Sequence, residues 1–359
     1  MESHVSAQLL WWVLWAMVFA AAVLLAIVVG SRCGRAWRVR REQAVLTPLR
    51  PALLEVASGE DDDSSALARL TAVAPRHVAL VDRTVSVLLS KVRGDPARAL
   101  AQVLRTHGRA QWARRGLTSA SAVRRAHSAW TLGLMREIDA GPQITPLLQD
   151  RSADVVVTAA RALTLIGDGG AARAVVRAVA PRRRPQGLPS WAAVESLCAF
   201  GEPVGSVVVE ALQHPHPAVR HVAATVVDAR PVPQAGPAVR ARLPEEQDTR
   251  TLTAMLGALG RVGSVDDLPL LCRFTEHEDE QVGLAAVGAL ERLGSSAAVE
   301  ALCPLLADPR PRVAERAATA LAELGPGGRT HLQAAAALDG PSAGPSRYAL
   351  QLAGLRGGR

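Results

Sequence analysis

The feature that most constrains this chain is a pattern that returns roughly every 30–34 residues, the length of one helix pair. Four stretches share it: Asp154–Gly167 (DVVVTAARALTLIG), Thr249–Gly260 (TRTLTAMLGALG), Glu280–Gly294 (EQVGLAAVGALERLG) and Arg312–Gly325 (RVAERAATALAELG). Each has an apolar residue near its start, Ala-rich spacing, and a final Leu or Ile close to a Gly. Gly260, Gly294 and Gly325 follow one another at that interval, and so do Gly167 and Gly201. One pair cannot bury its apolar face alone, so neighbours stack into an α-solenoid. Composition agrees: hydrophobic residues make up 49% of the chain but aromatics only 3%, so strand formers are scarce and Ala dominates.

The last unit shows the physics. Val313, Ala317, Leu321 and Leu324 fall at i, i+4, i+8 and i+11, on one helical face. Asp308 is read as the N-cap, with Pro309 at the first helical position. Gly325 is placed to end the helix with a left-handed residue. Val299, Leu302, Cys303, Leu305 and Leu306 form the packing face of the second helix of the preceding unit.

These residues carry a family resemblance. ADPRPRVAERAATALAELG (307–325) resembles the first helix of a HEAT repeat of the short, PBS-lyase-like type common in bacteria. HPHPAVRHVAATVV (214–227) and HEDEQVGLAAVGALERLG (277–294) are similar to it. The resemblance covers residues 150–340 well and residues 66–150 loosely. It implies an all-α fold, a right-handed α-solenoid of HEAT-type helix pairs. It also implies a non-catalytic scaffold that binds protein. The Pro-rich stretches Pro181–Pro189 and Pro231–Pro237 depart from the pattern and mark long loops.

Leu9–Val29 is an apolar run without a charge. Trp11, Trp12 and Trp15 stand at its start, and Arg32, Arg35, Arg38, Arg40 and Arg41 follow it. The expectation is a single transmembrane helix over 9–30, with residues 1–8 outside and the rest cytoplasmic at the inner membrane. A cleaved signal peptide is disfavoured, because no Lys or Arg precedes the run. The Arg cluster, with Trp37 inside it, is expected to meet anionic headgroups. Residues 31–65 then read as a basic segment and acidic linker, with Ser64 or Ser65 capping the next helix. Residues 66–150 read as a divergent helical part and 151–359 as the repeat solenoid with its cap.

No motif for catalysis emerges: there is no P-loop, no dinucleotide Gly pattern, no HExxH and no nucleophile elbow. The histidines are scattered, and His214 and His216 lack a partner at metal-ligand spacing. No cofactor or metal is expected. Cys33, Cys198, Cys272 and Cys303 are far apart and read as reduced thiols, the last three as small core residues. Asp266, Asp267, Glu276, Glu278, Asp279 and Glu280 read as helix-start carboxylates.

The formal charge is +8, and Lys91 is the only Lys. Codon bias of a GC-rich genome accounts for the Arg excess, but two clusters stand out as a candidate surface for a polyanion or acidic partner. One is Arg109, Arg114, Arg115, Arg124 and Arg125, with Arg105, Trp112 and Trp130 nearby. The other is Arg182, Arg183 and Arg184 in a Pro-flanked loop. The expected function is recruitment of membrane-associated protein partners. Nucleic-acid binding through the arginines is the alternative, and a bilin-lyase-like enzyme a more distant one.

Overall fold

The structure, a computed structural model, describes residues 7–61, 63–167, 169–180, 187–200 and 204–357. Every described element is helical. The chain divides into two compact units between Arg109 and Ala110.

The first unit holds α1 (Ala7–Leu46), α2 (Arg50–Ser58), α3 (Ser65–Thr71), α4 (Pro75–Leu89) and α5 (Gly94–Thr106). Helices α2 to α5 pack around Leu53, Val56, Leu70, Val81, Val85, Leu100 and Leu104. The α3 N-terminus is not capped by a serine: Ser64 makes no side-chain cap, while the Asp61 carboxylate accepts from the N–H groups of Ala66 and Leu67 at 3.0 and 2.9 Å.

The structure corrects the membrane placement expected for the N-terminus. Among the described residues, no helix is long and apolar enough to cross a membrane. The run Leu9–Val29 is not a separate span. It is the first half of one unbroken helix, α1, whose second half carries Arg32, Arg35, Arg38, Arg40 and Arg41. Trp11, Trp12 and Trp15 are exposed on it, and the Arg41 guanidinium stacks 5.4 Å from the centre of the Trp37 ring. The expected N-terminal segment 1–8 falls largely outside the described residues.

The second unit begins with α6 (Arg109–Gly116), which opens at the division, and continues as helix pairs. These are α7 (Ala122–Leu134) with α8 (Gly141–Ile144), α9 (Ala153–Ile166) with α10 (Gly169–Val179), and α11 (Ser190–Ala199) with α12 (Val204–Leu212). Then come α13 (Pro217–Ala229) with α14 (Gly236–Arg242), and α15 (Thr249–Val262) with α16 (Leu268–Thr275). The last two are α17 (Glu280–Leu293) with α18 (Ser296–Leu302), and α19 (Pro311–Glu323) with α20 (Pro326–Ala337). First helices pack in a row, each on the next, and each second helix packs against the first helix of the following pair. Helix α21 (Ala343–Gly357) covers α19 and α20. Val313, Ala317 and Leu321 are fully buried, as their spacing requires, and Val299, Leu302 and Leu306 bury the second-helix face.

The row is close-packed because small residues face each other. A methyl group on Gly260 of α15 would lie 2.7 Å from the Ala289 Cα of α17, and one on Gly133 of α7 would lie 2.7 Å from the Ala162 Cα of α9. Gly260 therefore sits inside its helix as a contact residue and does not close it. Gly167 and Gly294 do end their helices in the left-handed conformation, at φ 79° and 66°.

The N-terminal edge of the row repeats one device. Two positions before each N-cap, a side chain accepts the N-cap N–H. Ser119, Asp150, His214, Glu246, His277 and Asp308 do this for Ser121, Ser152, His216, Asp248, Asp279 and Arg310, at 2.9–3.3 Å. Asp308 is thus not the N-cap of α19 but the acceptor ahead of it. At α11 the N-cap is Pro189, which has no N–H to satisfy, and Gly187 stands where the acceptor would be.

Three junctions add a guanidinium. Arg125 of α7 bonds both oxygens of Asp150 at 2.6 and 2.7 Å and donates to the carbonyls of Ser119 and Ala120 at 2.8 and 3.0 Å. Arg220 of α13 repeats this with Glu246, at 2.5 and 2.8 Å, and the carbonyls of His214 and Pro215. Both stand at the same register, one helical turn past their N-caps. In α17 that register is Gly283, and the Arg310 guanidinium from the next pair fills the space, 3.2 Å from where a methyl group would sit. Arg310 bonds Asp308 and donates to the carbonyls of Thr275 and His277 at 2.6 and 2.8 Å.

These pairs shift the carboxyls. Arg125 holds Asp150 below the ordinary carboxylate range, and Arg310 does the same for Asp308. Burial pushes Glu246 up, but its bonds from Arg220 and the Asp248 N–H outweigh that and leave it lowered. A carboxyl lowered on folding stabilises the fold above its unfolded value and loses that contribution as pH falls through the folded one.

Gly260→Ala should destabilise the chain by about 1–3 kcal/mol through overpacking. Gly288→Ala on α17, which meets only the Arg316 guanidinium at 3.5 Å, should be neutral or stabilise by up to about 1 kcal/mol. Urea unfolding followed by circular dichroism separates them, and equal midpoints would contradict the close contact. Arg220→Ala should cost about 3–5 kcal/mol at neutral pH, because Glu246 is left buried and unpaired. The cost should shrink in acid, where that carboxyl takes up a proton; a pH-independent loss would contradict the ion-pair assignment.

Candidate interaction surface

Most arginines of the sequence-predicted cluster are already engaged. Arg109 donates to Asp82 at 2.5 Å, and Asp82 is buried beside His107, also at 2.5 Å. Arg114 reaches Glu137 at 3.3 Å, and Arg125 is the junction residue of Asp150. Arg182, Arg183 and Arg184 lie outside the described residues.

Arg115 and Arg124 are different. No Asp or Glu occurs between Asp95 and Glu137, and both arginines are exposed with no ion pair among the described residues. The Arg124 guanidinium lies 5.5 Å from the centre of the Trp112 ring, and His127 meets that ring edge-on at 5.7 Å. Val123 beside them is 79% exposed. Helices α6 and α7 approach closely to form this corner, since a methyl on Gly116 would collide with the Ser128 hydroxyl. The corner is cationic and partly apolar, with the Arg124 guanidinium over the Trp112 ring.

A second surface escapes the sequence reading. Trp191 of α11 is 58% exposed, with the Arg161 guanidinium of α9 stacked at 5.5 Å and paired to Glu195 at 3.0 Å. A Trp in an Ala-rich helix reads equally well as core, so only the structure separates the two. Beside it, the N-terminal ends of α11, α13 and α15 frame a cleft of about 200 Å³ lined by Ser190, His216, His221, Asp248 and Arg250.

The opposite edge of the row carries a signal that the sequence does hold. Arg230, Arg261 and Arg292 recur at the repeat period. Each reaches back to carbonyls in the last turns of a preceding first helix: Phe200 at 2.6 Å, Asp228 at 3.1 Å and Gly257 at 3.1 Å. Arg230 and Arg261 thereby cap the ends of α11 and α13, while Arg292 also pairs with the Asp228 carboxylate at 2.5 Å. Cys198, Cys272 and Cys303 are half-buried, and burial pushes each thiol up, away from the reactive thiolate.

Comparison with known proteins supports the architecture. Residues 205–282, 237–322 and 273–342 match the family model of HEAT repeats. No curated protein matches the chain. Among solved structures, a Kap121p mutant aligns with a TM-score of 0.50 at 13% identity, over 86% of this chain and 41% of that one. The complex of CpcE and CpcF of phycocyanin lyase from Nostoc sp. PCC7120 aligns with a TM-score of 0.30 at 22% identity, over 67% of this chain and 86% of that one. This chain thus spans about two fifths of the length of Kap121p, and the likeness is one of fold. Residues 205–342 carry HEAT repeats, within an all-helical, solenoid-like stack.

Proposed function

We propose that the chain is a non-catalytic scaffold whose helix stack, right-handed as the resemblance implies, holds an acidic protein partner at the α6–α7 corner. The observation that carries this reading is the exposed pair Arg115 and Arg124 beside Trp112, in a stretch with no acidic residue to neutralise them. Arginine and tryptophan at a partly apolar position are among the residue types that dominate binding energy at protein interfaces. The HEAT-repeat fold supports the reading, because such stacks present long surfaces on a row of helices. Nucleic-acid binding is less well supported: within the cluster Arg109, Arg114 and Arg125 are paired inside the fold, which leaves only Arg115 and Arg124 of it to neutralise phosphates.

A photo-crosslinking residue in place of Val123 tests this in the full chain, with Leu338, also exposed, as the control position. Protein adducts should form from the first position and not from the second. The double variant Arg115→Ala, Arg124→Ala should cut their yield by about three- to tenfold, in line with two exposed charge contacts. Nuclease-sensitive adducts, or equal yields from both positions, would sink the proposal.

A further inference from the structure

We propose that the N-terminal edge of the row of first helices is self-complementary, and that it pairs with the same edge of a second copy of this chain running antiparallel. This rests on the reading of the α6–α7 corner as the place of an acidic protein surface, and it names that surface: residues 276–278 of the second copy.

The edge belongs wholly to the second unit, and its charge is sorted along its length. The first helices follow in the order α7, α9, α11, α13, α15, α17. At the α7 end stand Arg115 and Arg124, exposed and without ion pairs among the described residues. At the α17 end stand Glu276 and Glu278, exposed and likewise without ion pairs among the described residues. The cations of that end are engaged elsewhere: Arg310 pairs with Asp308 at 2.8 Å, and Arg312 with Glu280 at 3.1 Å. Two such edges meeting in antiparallel order set α7 against α17 at both ends of the contact, so each cationic pair meets an acidic pair. Meeting in parallel order would set like charge against like.

The registers in between fit the same order. The two-fold axis falls between α11 and α13, so α9 meets α15 and α11 meets α13. Helix α9 brings the exposed Arg151 and Asp154. On α15 and the turn before it, Glu245 pairs with Arg242, and Arg250 stands beside Asp248. Both sets are mixed in sign, and neither repels the other. At the centre the edge is apolar instead. Trp191 near the start of α11 is 58% exposed, and α13 opens on the exposed Pro215 and the half-exposed Pro217. Each Trp191 thus lies against the proline-flanked turn of the other copy. An aromatic centre with charged ends is the usual anatomy of a stable interface. Packed helices lie about 8–10 Å apart, so the six span about 40–50 Å, and a strip about 20 Å wide along them reaches the roughly 800 Å² per copy that a standard interface buries.

The test is sedimentation equilibrium of the full chain and of two charge-reversed variants. One carries Arg115→Glu and Arg124→Glu, the other Glu276→Arg and Glu278→Arg. All four positions are exposed, and circular dichroism confirms that each variant is folded. The parent chain should dimerise, and each variant alone should do so about tenfold more weakly or worse. An equimolar mixture of the two should regain the parent's affinity, because opposite charges then meet at both ends of a mixed dimer. Trp191→Ala in the parent should weaken dimerisation about tenfold. A monomeric parent, a mixture no tighter than its components, or association indifferent to both reversals, as association through the exposed apolar part of α1 would be, would each overturn the inference. The α6–α7 reading survives that outcome if a crosslinker at position 123 still captures another protein, and falls with it if no protein adduct forms there.

Discussion

The second unit depends on how closely its first helices approach. At Gly133 against Ala162, and at Gly260 against Ala289, there is no room for one more carbon. Contacts that tight bury Ala-rich faces completely and explain how a chain with few aromatic residues still forms a continuous core. They also set an electrostatic problem. The first helices lie in a row with their N-terminal ends together, so their dipoles run side by side and repel. Acceptors at the N-terminal edge and arginines at the C-terminal edge satisfy the helix-end groups there. Asp150, Glu246 and Asp308 sit at N-terminal ends, and Arg230, Arg261 and Arg292 reach the carbonyls near the C-terminal ends.

The junction between α17 and α19 shows that the place matters more than the residue that fills it. Elsewhere the guanidinium comes from the earlier helix, at Arg125 or Arg220. Here the earlier helix offers Gly283, and Arg310 enters from the later one to meet the same kind of carbonyls and an acceptor at the same register. A side chain in place of Gly283 would occupy the volume that Arg310 needs. Glycine and arginine are therefore one coupled feature, shared between successive repeats. Neither would be understood alone.

That coupling explains what could be read from sequence and what could not. The helix-pair period, the buried stripe of Val313, Ala317 and Leu321, and the α-only fold follow from spacing, because apolar periodicity is a local property. The roles of the glycines were only half legible. Gly294 ends its helix as the pattern suggests, whereas Gly260 looks the same in sequence and serves as a contact. Its partner, Ala289, belongs to the next repeat, beyond the reach of any local rule. Arg125 was legible as a cation and illegible as a junction, since Asp150 lies across a whole helix pair from it. The Leu9–Val29 run shows the converse: in a local window its apolar residues look like an independent span, whereas they belong to one helix with the arginines after them, and no described helix is long and apolar enough to cross a membrane.

Charge alone is consequently a poor guide to the binding surface. Arg109, Arg114, Arg115, Arg124 and Arg125 look alike as a sequence cluster. Folding sorts them by whether a carboxylate comes within reach: Asp82, Glu137 and Asp150 claim three, and Arg115 and Arg124 remain on the surface. The same sorting acts along the N-terminal edge. Where a guanidinium closes a junction, the polar groups there satisfy one another and have little left for a partner. Around α11, Val156, Ala193, Gly187 and Pro189 remove both members of the closing pair and the N–H it would serve. Where no guanidinium enters, as at Val156, Ala193 and Leu252, a buried apolar side chain fills the same register.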